Sequence, residues 1–260
     1  MNNYGMIVYL SLIAIFFSSM VYGIIGFGDA LVLIPIITPI IGVRNAVILV
    51  NIWGMFPALL NFIKYRRYLD KGYFFRFLSL GIPATILGTY LIIFVQVEWI
   101  ELILGYFIVT YSTLKLWKYF KSPDTIEVKN QLNTTHPLVF IGGFSYGLLT
   151  GLISAAGPIN VAVLEKTGHY RESFIENFAA IGTMLSISRI PFYFIGDVFP
   201  YDLILVFFLA FPVIFLGTKL GHKITPKIPV KKFQIIIFCF LVVIGLKSII
   251  LSTIGLISIS

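Results

Sequence analysis

Most of this chain consists of apolar runs, at 6–25, 30–42, 46–63, 74–95, 99–117, 138–155, 157–164, 174–195, 202–219 and 233–257. A helix needs about 20 residues to cross the hydrocarbon of a bilayer, and most of these runs are long enough. In lipid every backbone N–H and C=O must be bonded within the protein, so irregular chain survives only where protein or a water-lined cavity surrounds it. The second and seventh runs are too short to cross and are expected as half-helices or arms of re-entrant hairpins. The fold class is therefore an all-α polytopic membrane protein with about eight to ten membrane segments. Composition agrees. The chain is 58% hydrophobic and 12% charged, with about half the charge of a soluble domain. Residues 7–25 read as a retained first span, because the uncharged Met1-Asn-Asn-Tyr-Gly5 precedes them and no polar mature domain follows. A single cysteine, Cys239, rules out an intrachain disulfide and a cysteine metal cluster. In its apolar run it reads as a small buried residue.

The chain repeats itself. Gly81-Ile-Pro-Ala-Thr-Ile-Leu-Gly-Thr-Tyr-Leu91 returns as Ala210-Phe-Pro-Val-Ile-Phe-Leu-Gly-Thr-Lys-Leu220, with Pro83 and Pro212, Gly88 and Gly217, Thr89 and Thr218 in register. Upstream of each copy a glycine-rich stretch interrupts an apolar segment, at Tyr22–Ala30 and at Tyr146–Pro158. We read residues 1–117 as a first transmembrane repeat, 118–136 as a polar cytoplasmic linker and 137–260 as a second repeat. Orientation follows from lysine and arginine in the short loops. Lys64, Arg66, Arg67, Lys71 and Arg76 follow the third run, and Lys219, Lys223, Lys227, Lys231 and Lys232 follow the ninth, so both loops are expected in the cytoplasm. Gln96–Glu98 and Gly196–Asp202 carry neither residue type and should face outward. The two repeats are then inverted, both termini lie outside, and the chain is a multi-pass protein of the cell membrane. Inverted repeats with broken segments in matching places point to a secondary transporter with a site near the midplane. The net charge of +8 is explained by this topology, and nucleic acid is not an expected partner.

The glycine segments carry the chemistry. Glycine lets a helix break and restart, and a restarted helix offers free N–H groups and partial positive charge to an anion. The candidate substrate-binding residues are Gly26 and Gly28 in the first segment and Gly151, Ser154, Gly157 and Pro158 in the second, with Asn51, Asn177 and Arg189 as further contributors. Two such helix ends could hold an anion without a fixed cation. The alternative for the glycines is close helix packing.

Together the residues resemble a known family, the sulfite exporter TauE/SafE membrane permeases. The resemblance rests on the two halves of similar size, Gly26-Phe-Gly-Asp-Ala-Leu-Val-Leu-Ile-Pro35, and Gly147 to Pro158. Arg44-Asn-Ala-Val and Arg171-Glu-Ser-Phe, each followed by an asparagine in the next run, add to it. Where the family often has three glycines, this chain has Gly28-Asp29-Ala30. The resemblance implies export of sulfite or organosulfonates.

Asp29 is costly at membrane depth and is a candidate for proton coupling, for pairing with an arginine, or for capping the restarted helix. Arg189, just before Pro191, suits bidentate binding of an oxyanion. It also lies near the expected outer end of its run, where it could reach the interface instead. Asn160 and Thr183 are further neutral donors. His136, His169 and His222 are too dispersed for a metal triad, and no cofactor is expected. Glu172 and Glu176, four apart, together with Arg189 invite an alternative, an intramembrane lipid pyrophosphate phosphatase. The glycine and serine-rich phosphate loop of that chemistry is missing, so the chain is not expected to be an enzyme. A carrier of another small organic anion is the closer alternative. No filter-like run argues for a channel. Protons or sodium are the candidate coupling ions. Exposed aromatic pairs such as Phe207-Phe208 suit lipid or a homodimer partner.

Overall fold

The computed structural model describes residues 3–25, 28–121, 133–169, 171–224 and 230–259. Among these residues the regular structure is helical throughout, with no strand. In chain order the helices are α1 (Asn3–Ile25), α2 (Asp29–Ile41), α3 (Val43–Tyr65), α4 (Lys71–Phe94), α5 (Val97–Lys121), α6 (Pro137–Ile153), α7 (Gly157–Lys166), α8 (Arg171–Ile195), α9 (Ile204–Ile224) and α10 (Val230–Ile259). Among the described residues six helical stretches are long and apolar enough to cross a membrane: Gly5–Ile24, Val43–Tyr68, Lys71–Ile92, Glu98–Lys121, Glu172–Ile195 and Tyr201–Gly221. Asp29–Ile41, Pro137–Ile153 and Phe238–Ile254 are shorter apolar helical stretches. The second and seventh runs form the 13-residue α2 and the 10-residue α7, as short as expected. At 1.5 Å per residue they reach about 20 and 15 Å, against about 30 Å of hydrocarbon. The segment expected as a linker is divided: its first residues complete α5, His136 caps α6, and 122–132 lie outside the described residues.

The chain forms two compact units, each drawn from both halves of the sequence. One comprises Met1–Val47, Val95–Ile126 and Pro200–Ser260; the other comprises Ile48–Phe94 and Glu127–Phe199. In the first unit α1 packs along α9, α5 packs along α10, and α2 leans on α1 and α10. In the second, α4 packs on α6 and α8, and α7 lies against α6 and α8.

Bare backbone makes the tightest of these contacts. A Cβ on Gly143 would lie 2.2 Å from Phe77 O, one on Gly147 2.3 Å from Gly81 O, and one on Gly151 2.4 Å from Thr85 O. The three glycines sit one turn apart on one face of α6, and the rising order of their partners makes α4 and α6 parallel. From the other side, a Cβ on Gly88 would lie 2.2 Å from Leu148 O. The repeated motif does the same work in the first unit, where a Cβ on Gly217 would lie 2.6 Å from Phe16 O of α1. Small residues let helix backbones approach closely in this way, gaining dispersion contacts in a solvent without a hydrophobic drive between helices. α5 and α10 cross at Gly105 and Gly245, with Glu101 beside Ser252 and Tyr111 beside Phe238, so this pair is antiparallel.

Large apolar side chains such as Phe94, Phe120, Ile195 and Phe208 point outward, as the composition requires of a surface facing lipid. Cys239 corrects the sequence reading: it is exposed rather than buried, because it falls on the outward side of α10.

The packing makes a prediction. Gly147→Leu places a side chain into the backbone of α4 and is expected to destabilise by about 1 to 3 kcal/mol or more. Gly182→Ala, where a Cβ meets nothing within 4 Å, should be harmless. Thermal melting of detergent-purified protein checks this; equal melting points would show that α4 and α6 do not depend on the close approach.

Candidate functional site

The second unit has a cation at its centre. Arg189, six residues before the end of α8, is only 2% exposed. It does not run out to the interface. Its guanidinium donates to Asn51 Oδ1 of α3, to the main-chain oxygen of Thr150 and, over 2.9 Å, to Ser154 Oγ. Asn51 also donates from Nδ2 to Ser186 O at 3.5 Å. All these acceptors are neutral. Among the described residues no carboxylate pairs with Arg189, and its Nε–H has no acceptor. A guanidinium presents five N–H donors in a rigid planar fork suited to oxyanions. This one is desolvated, anchored on one side and uncompensated in charge, a state that costs several kcal/mol unless an anion joins it.

The acceptors come from the break between α6 and α7. α6 ends at Ile153, and Ser154 takes φ 52, a left-handed conformation that its N–H stabilises by bonding Thr150 O at 2.9 Å. Left-handed backbone at a non-glycine residue costs of order 1–3 kcal/mol; here it turns Ser154 Oγ onto Arg189. α7 restarts at Gly157 with Pro158 in its first turn. Pro suits that position because its fixed φ matches the helix and its missing N–H is not needed there. The break thus sets the N-terminus of α7 three residues from the serine that holds the guanidinium. Partial positive charge at that end favours an anion.

The structure gathers Asn51, Ser154 and Arg189 of the expected residues, with Gly157 and Pro158 adjoining them in the chain. Gly151 is in the same helix end, but its open side is filled by Thr85, Gly88 and Thr89 of α4. Asn177 is elsewhere. It accepts from Asp70 N at 3.1 Å and donates to Ser173 O at 2.8 Å and Tyr68 O at 3.4 Å, tying the α3–α4 turn to the start of α8. Twelve residues separate it from Arg189, about 18 Å of helix. In the first unit Gly28, at φ 89, precedes α2, and Asp29 opens it. Gly26 lies outside the described residues. Asp29 is half-buried, its carboxylate accepts from backbone N–H groups at the start of α2, its own and that of Ala30, and it pairs with no arginine among the described residues. Arg44 donates to Val95 O at 3.3 Å. Asn160 is fully buried and accepts from Tyr73 OH at 2.8 Å. Thr150 was not foreseen, since it acts through its main-chain oxygen, which no residue type advertises.

Residues 11–248 match the family described as sulfite exporter TauE/SafE. The chain belongs to the sulfite exporter TauE/SafE family. No curated protein and no solved structure matches it. TauE/SafE proteins are membrane transporters, and this member, with its six long apolar helical stretches, is a multi-pass membrane protein. Within this TauE/SafE chain the Arg189 cluster is a buried, polar, charged arrangement built at a helix break.

A second polar cluster surrounds the turn at Asp70. His169 Nε2 lies 3.3 Å from Asp70 Oδ2, His169 Nδ1 lies 2.9 Å from Thr167 Oγ1, and the imidazole rests on the Tyr73 ring at 4.8 Å. Burial lowers the His169 pKa below its ordinary 6.5, and the neighbouring Asp70 only partly opposes this.

Two predictions follow from these clusters. Asn51→Leu strips an acceptor from a buried cation and is expected to lower stability by about 1–3 kcal/mol, read as a fall in melting temperature; Asn51→Gln should recover part of it, and no difference from wild type would remove Asn51 from the cluster. For His169, the unfolded chain binds the proton more readily than the folded one. Its contribution to stability is therefore present above pH 6.5 and is lost as pH falls through and below that value. Melting temperatures from pH 7.5 down to about 5 should fall less in His169→Gln than in wild type, and parallel curves would refute the assignment.

Proposed function

We propose that this protein is a secondary transporter that exports small sulfur-containing anions, such as sulfite or organosulfonates, across the cell membrane by alternating access. The observation that carries this reading is Arg189: a buried guanidinium with only neutral acceptors and an unbonded Nε–H. An oxyanion supplies the missing charge and takes the remaining donors in a charge-assisted geometry. Ser154 and the N-terminus of α7 at Gly157 and Pro158 stand beside it, and Asn51 and Thr150 fix its orientation. Gly28 and Asp29 form the corresponding restart in the first half. Gly26 and Asn177 remain candidates from the sequence, as does Asp29 for proton coupling. The family description supports sulfite as the first substrate to try.

Two halves of five helices, 1–117 and 137–260, support the inverted-repeat reading. In each half the second helix is the short one, and the paired fifth helices, α5 and α10, lie antiparallel. With Lys64, Arg66 and Arg67 in the cytoplasm, the termini fall outside. The phosphatase alternative draws no support. Glu172 is exposed, Glu176 is buried, and Arg189 is 13 residues beyond Glu176, about 20 Å along α8.

Purified protein in liposomes should move radiolabelled sulfite down its gradient faster than empty vesicles. Arg189→Met is expected to abolish that flux. Saturating sulfite at about 100 times its dissociation constant should stabilise wild type by about 2.7 kcal/mol, with a matching rise in melting temperature, and leave Arg189→Met unmoved. Wild-type and mutant protein protected alike by sulfite would overturn Arg189 as the anion site. Sulfoacetate, thiosulfate and small carboxylates in the same assay rank the substrate class.

A further inference from the structure

Glu176 is the one acidic residue in the described part of the chain that is fully buried with neither carboxyl oxygen hydrogen-bonded. It sits in α8, the helix that carries Arg189, five residues from its start. Burying an ionised carboxylate with no partner costs several kcal/mol, so this side chain is held with a proton on it. It does not stand alone. Thr183 Oγ1, two turns along the same face of α8, and Asn160 Nδ2 on the adjoining α7 are also buried without partners. Buried polar atoms are ordinarily bonded. Two unmatched polar groups on one face of α8, one of them an acid, with a third on the adjoining α7, suit a proton or ion route.

Among the described residues no cation of the elements packed against α8 pairs with Glu176: Lys71 of α4 is exposed and Arg76 donates to Thr134 Oγ1 at 2.9 Å. Asp70, His169 and Tyr73 are occupied with one another and with Asn160. Arg66 and Arg67, in the turn before α4, and Glu165 and Lys166, at the end of α7, are exposed.

We propose that Glu176 is a proton-binding residue of the transport cycle, protonated while buried as here and releasing its proton when α8 is exposed to water, so that anion movement at Arg189 is linked to proton movement. The transfer breaks the carboxyl O–H bond and forms an O–H bond on water, leaving a carboxylate, with no change in oxidation state. The inference rests on the Arg189 reading for its substrate, and on its own geometry for the proton.

The test uses full-length protein in liposomes with radiolabelled sulfite, in two modes. Exchange is measured at equal sulfite and equal pH on both sides, and accumulation is measured under an imposed pH gradient. Glu176→Gln is expected to keep exchange near the wild-type rate while accumulation falls to that of empty vesicles, and Glu176→Asp should retain some of each. Accumulation by Glu176→Gln equal to wild type would overturn the proposal and leave Arg189 untouched, as would wild-type accumulation that ignores the gradient. A substrate-free measurement separates the two readings. Infrared difference spectra across a pH titration should show a protonated carboxyl C=O band in wild type that is missing in Glu176→Gln and displaced in Glu176→Asp. Absence of that band in wild type would sink the proton assignment whatever the transport result; its presence with no sulfite flux would fault the substrate reading alone.

Discussion

Direct contact between the backbones of α4 and α6 is the constraint on which the second unit depends. Gly143, Gly147 and Gly151 remove every side chain from one face of α6, so its main chain comes to rest on the carbonyls of Phe77, Gly81 and Thr85. The same contact locates the end of α6 to within a turn. Thr150 O accepts the last i to i−4 bond of the helix, from Ser154 N, and also the Arg189 guanidinium. Without that anchorage a polar helix end would have no reason to stay beside a buried cation. The glycine face and the arginine are therefore two parts of one arrangement: packing energy from α4 holds an acceptor set that desolvation of Arg189 demands.

Charge is distributed along α8 in an unusual way. Among the described residues Arg189 near one end has donors to spare and no acid, and Glu176 near the other has acceptors to spare and no base. They do not neutralise each other, because the helix itself separates them by about 20 Å. Two uncompensated ionisable groups on one helix would be a poor solution for stability alone, since apolar residues of similar size would avoid both desolvation costs. The proposed transport cycle gives each group a ligand, an anion for Arg189 and a proton for Glu176.

Residue chemistry was more legible than residue placement. The apolar runs led directly to helices, and the short second and seventh runs to α2 and α7, because the length of a helix in lipid is dictated by bilayer thickness. Arg189, Asn51 and Ser154 were visible as polar residues in apolar surroundings. The glycines were harder. Gly147 and Gly151 read first as part of an anion-binding break, with packing as the alternative, and their bare faces pack on α4; the left-handed turn falls on Ser154, where residue type gives no warning. Asn177 matches Asn51 in the pattern of the two halves, yet it ties down the turn at Tyr68 to Asp70, because helix phase and neighbours, which a local pattern does not contain, decide what a side chain meets. Cys239 faces outward for the same reason.

Sequence alone determined that this chain lives in a membrane, that it is helical and that two short segments interrupt it, since each of these follows from residue type and spacing along the chain, and its likeness to the TauE/SafE family was legible there too. Tertiary structure decided which polar groups converge. It drew Asn51 of α3, Thr150 and Ser154 of α6 and its end, and Arg189 of α8 into one cluster across as many as 138 residues of separation, and it left Glu176 without a partner. Those outcomes depend on which faces of parallel and antiparallel helices are brought together, and that is fixed by close packing in three dimensions rather than by any run of residues read in one.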